Sequence, residues 1–159
     1  MSLYVSQLTA IADVNLRRRV RRIVDKVVHA ARLDDVINVS LSFVDDDEMA
    51  ELNGAWRGKP VPTDVLSFAA FDGEPMPGME NELGDIVISI ERAQAQAQAC
   101  GHSVEVEVAV LLTHGLLHLL DVDHERSTEE AMHMAECEMT WLAAAGVDPA
   151  AALIGRAFG

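Results

Sequence analysis

At 159 residues, half of them hydrophobic and only 4% aromatic, the chain has the size for one domain with an aliphatic interior. A formal net charge of −14 argues against a general nucleic-acid coat, which must neutralise many phosphates. No apolar run reaches the roughly 20 residues of a membrane span, and the basic-then-apolar order of a secretory leader is missing. The expectation is therefore a cytoplasmic protein whose two cysteines, Cys100 and Cys137, are reduced thiols.

Alternation of apolar and polar residues from Leu3 to Leu8 predicts a short first strand. A helix follows from Asp13, with Leu16, Val20, Ile23, Val24, Val27, Val28 and Ala31 on one face. Its other faces hold Arg17, Arg18, Arg19, Arg21, Arg22 and Lys26, and with Arg32 these are seven of the chain's twelve basic residues. This local excess reads either as a contact patch on an acidic body or as an ordinary solvated helix face. Val36 to Val44 alternates as a strand, and Asp45 to Glu48 supply the N-cap and acidic first turn of a helix reaching about Asn53. Gly54 to Thr63, with two glycines and two prolines, is expected to be a loop. Val65 to Phe71 is expected to be a strand, Asp72 to Leu83 a second loop and Asp85 to Ile90 a further strand.

Glu91 to Cys100 is helical by composition and ends at Gly101 as a C-cap. Ser103 opens a helix to about Leu120 whose second half is apolar nearly all round, the mark of a buried central helix. Ser127 or Thr128 caps a last helix with Met132, Ala135, Met139 and Leu142 as its buried stripe, stopping at Gly146. The expected architecture is α+β: residues 1–159 as one domain, a small mixed β-sheet packed with helices around the buried central helix.

That central helix carries the chemistry. His114 and His118 are four apart and share a face, and His124 follows just past the helix end, placed to fold back. Burying two imidazoles among aliphatic residues is costly unless their nitrogens find partners, and a metal serves both at once. Three histidines converging in this way form the ligand set of a catalytic zinc site with a fourth position left for water. The residue after the first histidine is Gly115. An HExxH peptidase has its general-base glutamate there, so proteolysis is disfavoured.

The segment His114-Gly115-Leu116-Leu117-His118-Leu119-Leu120-Asp121-Val122-Asp123-His124 resembles the HGxLHLxGYDH signature of the YbeY family of bacterial rRNA-maturation endoribonucleases. Two more blocks are similar in the family's order. Leu52-Asn53-Gly54-Ala55-Trp56-Arg57 through Pro62-Thr63-Asp64-Val65-Leu66-Ser67-Phe68 matches LNxxxRxxxxPTDVLSF, and Leu83-Gly84-Asp85-Ile86-Val87-Ile88-Ser89 matches LGDIxIS. The resemblance implies a YbeY-like, zincin-like metal-hydrolase architecture carrying HxxxH. It implies one Zn2+ per chain held by His114, His118 and His124, with His114 and Arg57 as the catalytic residues. The activity implied is single-strand-specific endoribonuclease cleavage in 16S rRNA 3′-end maturation and ribosome quality control. Its partners would be single-stranded rRNA and the small ribosomal subunit or its associated proteins, with no membrane or DNA partner. A guanidinium in such a cleft can clamp the phosphodiester oxygens on which charge develops.

The chain departs from the family pattern at Asp121-Val122, where the family has Gly-Tyr, and at Val106, where many members carry arginine. Asp121 could instead support a ligand or serve as the base. His102 reads as structural, and His29 and His133 as solvent-facing. Asp64 and Asp85 read either as cleft-orienting groups or as turn and strand-end hydrogen bonders. Two alternatives to the nuclease stand: a metal hydrolase on another substrate, and a non-catalytic zinc-stabilised ribosome-associated factor.

Overall fold

The structure is a computed structural model, which describes residues 2–31, 38–70, 76–79, 81–120, 128–148 and 150. Strand β1 (Ser2–Ser6) leads through a single 3-10 turn into helix α1 (Val14–Ala31). Asp13 Oδ1 caps that helix, accepting from the backbone N–H of Asn15 at 2.9 Å and of Leu16 at 3.3 Å. The predicted apolar face is the buried one: Leu16, Val20, Val24, Val27 and Ala31 all pack inward. Strand β2 (Asn38–Val44) buries Val39, Leu41 and Phe43, as period-two alternation requires.

Helix α2 (Asp46–Arg57) starts where expected, with Asp45 Oδ1 accepting from Glu48 N–H at 2.8 Å. It ends one turn later than the glycine and prolines suggested. Gly58, not Gly54, is the C-cap, with φ 70° and its N–H bonded to Gly54 O at 3.1 Å. Gly54 has a packing role instead: a Cβ there would lie 3.2 Å from Cα and Cβ of Pro60, so the following loop folds back over the helix. Buried Asn53 holds that loop by donating from Nδ2 to Val61 O at 2.9 Å.

Strand β3 (Val65–Ala69) and strand β4 (Glu82–Ser89) come next. The second begins earlier than predicted, taking in Glu82 and Leu83, because the glycine in it is structural. At Gly84 the φ is 149° and a Cβ would stand 2.2 Å from Phe68 O, so only glycine lets the strands pair here. Helix α3 (Ile90–Cys100) follows at once with Ser89 Oγ as its cap, accepting from Arg92 N–H at 3.2 Å. Helices α4 (Val104–Leu120) and α5 (Thr128–Ala144) complete the described elements.

The sheet order is β1-β2-β4-β3, with the first three strands parallel and β3 antiparallel to β4, a mixed sheet as expected. One face carries the main core. Val39, Leu41, Phe43, Ile86 and Ile88 meet the buried faces of α1 and α4 and the end of α5, including Leu142. On the other face α2 seats Met49 against Val44, Leu66 and Val87. Within α4, Val108 through Leu112 and Leu116 are fully inaccessible, and each buried leucine contributes about 1.5–3 kcal/mol relative to exposure. No single described helix is long and apolar enough to cross a membrane.

Candidate metal centre

The helix that carries the histidines is placed by a glycine. A Cβ on Gly115 would lie 3.1 Å from Ile86 Cγ2 and from Ser67 Oγ, so α4 crosses β3 and β4 more closely than a side chain fits without a shift of its neighbours. Ser67 Oγ donates to Gly115 O at 3.4 Å across the same contact. The sequence presented Gly115 as a missing base; its role in the fold is this close crossing.

Beside the crossing, on the half-buried side of α4, His114 and His118 meet. Their Nε2 atoms are 3.0 Å apart, and the rings stand edge to face with centroids 4.4 Å apart at 78°. Two nitrogens on a tetrahedral zinc, with bonds of about 2.0–2.1 Å, lie roughly 3.3–3.4 Å apart. The observed pair fits such an ion after an opening of a few tenths of an ångström, a small rotation of either ring. His124, the third expected ligand, and Asp121 fall outside the described residues.

Arg57 is exposed and is the last residue of α2, a correction to its expected place in a loop. Its neighbour Trp56, 70% exposed, was not singled out from the sequence. The indole packs edge-on to Phe68 of β3, with ring centroids 5.7 Å apart at 60°. Phe68 adjoins Ser67, which touches Gly115 of α4. Strand β3 is therefore the element shared by the arginine end of α2 and the histidine helix. The signal available in the sequence was an aromatic residue next to the candidate arginine in a polar stretch.

The two aspartates divide. Asp64 Oδ1 accepts from its neighbour Val65 N–H at 2.7 Å, and Oδ2 accepts from Gln96 Nε2 at 3.2 Å, the strand-end role. Asp85 is exposed. His29 is exposed as expected, while the side chain of His133 lies outside the described residues. His102 bonds through Nε2 to the buried Glu107 at 2.7 Å, a pair that the sequence reading left apart. Arg18, Arg19, Arg21, Arg22 and Lys26 are exposed on α1. Two of them make ion pairs, Arg19 to Glu105 at 3.4 Å and Arg21 to Asp25 at 3.5 Å, both solvent-accessible and so worth little to stability.

These observations define an α+β protein with a mixed sheet and a buried helix presenting two facing imidazoles beside it. The chain belongs to the YbeY family: the family model described as Endoribonuclease YbeY matches residues 4–146. Among proteins named Endoribonuclease YbeY, one from Synechococcus sp. (strain RCC307) is 55% identical over 92 residues, 57% of this chain and 58% of its own length. One from Pelotomaculum thermopropionicum is 45% identical over 119 residues, 74% of this chain and 78% of its own. The match spans less than two-thirds of the length of several such relatives, 58%, 57% and 62% in three of them. A solution structure of a Thermotoga maritima protein shares the fold, with TM-score 0.54 and 20% identity over 89% of this chain and 90% of that one.

Proposed function

We propose that this chain is a zinc-dependent endoribonuclease that cuts single-stranded RNA, acting in 16S rRNA 3′-end maturation and ribosome quality control in the cytoplasm. The observation that carries the reading is the 3.0 Å approach of His114 Nε2 to His118 Nε2 on a buried helix. The names of the relatives support the activity. A zincin-like site follows, in which His114, His118 and His124 hold one Zn2+.

Zinc bound there supplies Lewis-acid chemistry to a phosphodiester. The chain's own residues do the rest. Gly115 and the Ser67 contact fix the position of α4, so the two imidazoles stay aimed at one point. Arg57, exposed at the end of α2, is free to swing onto the non-bridging oxygens, where a bidentate guanidinium neutralises charge developing during cleavage. Capping of α2 at Gly58 and the Asn53 clasp on the following loop limit how far that helix end can wander.

The test pairs metal analysis with a ribonuclease assay. Wild type is expected to lose one zinc per chain when His114 and His118 are both replaced by alanine, and to lose cleavage of a single-stranded RNA with His114→Ala alone. Arg57→Ala should keep the zinc and lower the cleavage rate by about 100-fold or more, as removal of a charge-stabilising donor does. Full cleavage by rigorously metal-free protein would refute the mechanism. RNA binding without any cleavage in zinc-loaded wild type would replace it with the non-catalytic factor.

A further inference from the structure

The turn between α3 and α4 gathers a second set of metal-seeking groups, remote in role from the histidine pair. Helix α3 ends at Cys100, Gly101 takes φ 76°, and α4 starts at Val104, the two axes bent by 113°. Backbone bonds close the reversal: His102 N–H donates to Ala97 O at 3.1 Å and Glu107 N–H to Ser103 O at 3.2 Å. The result is that Cys100 Sγ, a ring nitrogen of His102 and a carboxylate oxygen of Glu107 all lie within 4.8 Å of one another.

Burial makes this grouping more than a surface accident. Glu107 is wholly inaccessible, flanked on its helix by the fully buried Val108, Ala109 and Val110. A carboxylate in such surroundings requires a partner, and His102 Nε2 is 2.7 Å from its Oε1. That contact occupies one nitrogen of the ring. The other, Nδ1, is buried and has no hydrogen-bond partner among the described residues. A carboxylate holding one imidazole nitrogen while the other is left over is how proteins orient histidine toward a metal. The nearby thiol adds a soft donor, and a sulfur-plus-imidazole set selects zinc-like cations over magnesium or calcium.

We propose that the α3–α4 turn is a second metal site, taking one zinc-class divalent cation between Cys100 Sγ and His102 Nδ1, with Glu107 as the positioning residue that holds the ring through Nε2. Binding deprotonates the thiol, whose proton passes to solvent, and water completes the coordination because Cys100 and His102 are partly exposed. Bridging the last residue of α3 to the residues opening α4, the cation clips together the two helices.

Cobalt(II) is the probe, since a thiolate ligand gives it a near-ultraviolet charge-transfer band that imidazoles alone do not. The measurements use metal-free full-length protein carrying Cys137→Ser, which removes the other thiol. The expected result is about two cobalt ions per chain with the band present, and about one, with no band, after Cys100→Ala. Cys100 is only half-buried, so this variant should fold. Glu107→Gln should keep the band while weakening cobalt affinity 10- to 100-fold, the effect of disturbing a ligand-orienting carboxylate. His114→Ala with His118→Ala should remove the other equivalent and leave the band, so the two sites fail separately. Absence of the band at saturating cobalt, or its survival in Cys100→Ala, overturns the proposal.

Discussion

Gly115→Ala sets two opposing effects against each other. In an ordinary helix interior, alanine is favoured over glycine by about 1 kcal/mol. Here the new Cβ would lie 3.1 Å from Ile86 Cγ2 and Ser67 Oγ and 3.2 Å from Ile86 Cδ1, where carbon contacts prefer about 3.5–4.0 Å. Ser67 can rotate away at the loss of its bond to Gly115 O. Ile86 cannot: it is fully buried, and its strand is paired on both sides, opposite Leu41 and opposite Ser67. Overpacking of this kind costs about 1–3 kcal/mol, so it exceeds the propensity gain and leaves a net loss of roughly 1 kcal/mol. Urea unfolding is the assay, with a lower midpoint expected at unchanged slope. Because α4 must lift off β3, cleavage of single-stranded RNA should fall as well while zinc is retained. A variant stabilised by about 1 kcal/mol, as an unhindered helical glycine would give, refutes the close-crossing argument.

Gly84→Ala is expected to be far worse, since its Cβ meets the Phe68 carbonyl at 2.2 Å and the backbone sits at φ 149°; loss of soluble folded protein on expression is the check, and near-native thermal stability would contradict it. Asp45→Ala should lower unfolding free energy by about 1 kcal/mol through loss of the α2 cap, measured by denaturant titration. Arg18→Glu with Arg22→Glu reverses two exposed charges one turn apart on α1. It should weaken RNA association and flatten its salt dependence without changing zinc content; unchanged binding at low salt would assign α1 to solvation alone.

Much of this fold can be read along the chain wherever burial is one-sided. Helix α1 and strand β2 show their apolar faces in period and land where that period puts them. The histidine pair is equally legible, because helical geometry alone places residues 114 and 118 together. What escapes is anything decided across the chain. Gly54 and the prolines looked like a helix stop, but the stop is Gly58, and Gly54 is glycine because Pro60 packs on it. Gly115 drew attention for chemistry it lacks, since nothing local reveals Ile86 on its other side. Glu107, in the opening turns of α4, is among the most buried side chains, its partner His102 five positions back. A glutamate entering an apolar helix was the signal, and only the reversal at Gly101 supplies the partner.

The sheet also dictates an order of events during synthesis. Its central strand β2 pairs with β1, made well before it, and with β4, made well after, so half its hydrogen-bonding row stays open until β4 has emerged. The antiparallel β3–β4 pair closes over a shorter stretch of chain and forms with less loop-closure cost. Until the two halves zip together, β2 offers a naked edge to any neighbouring nascent chain. Deleting the first strand would open the opposite row of β2 for good, adding to this transient hazard of translation a standing tendency to aggregate.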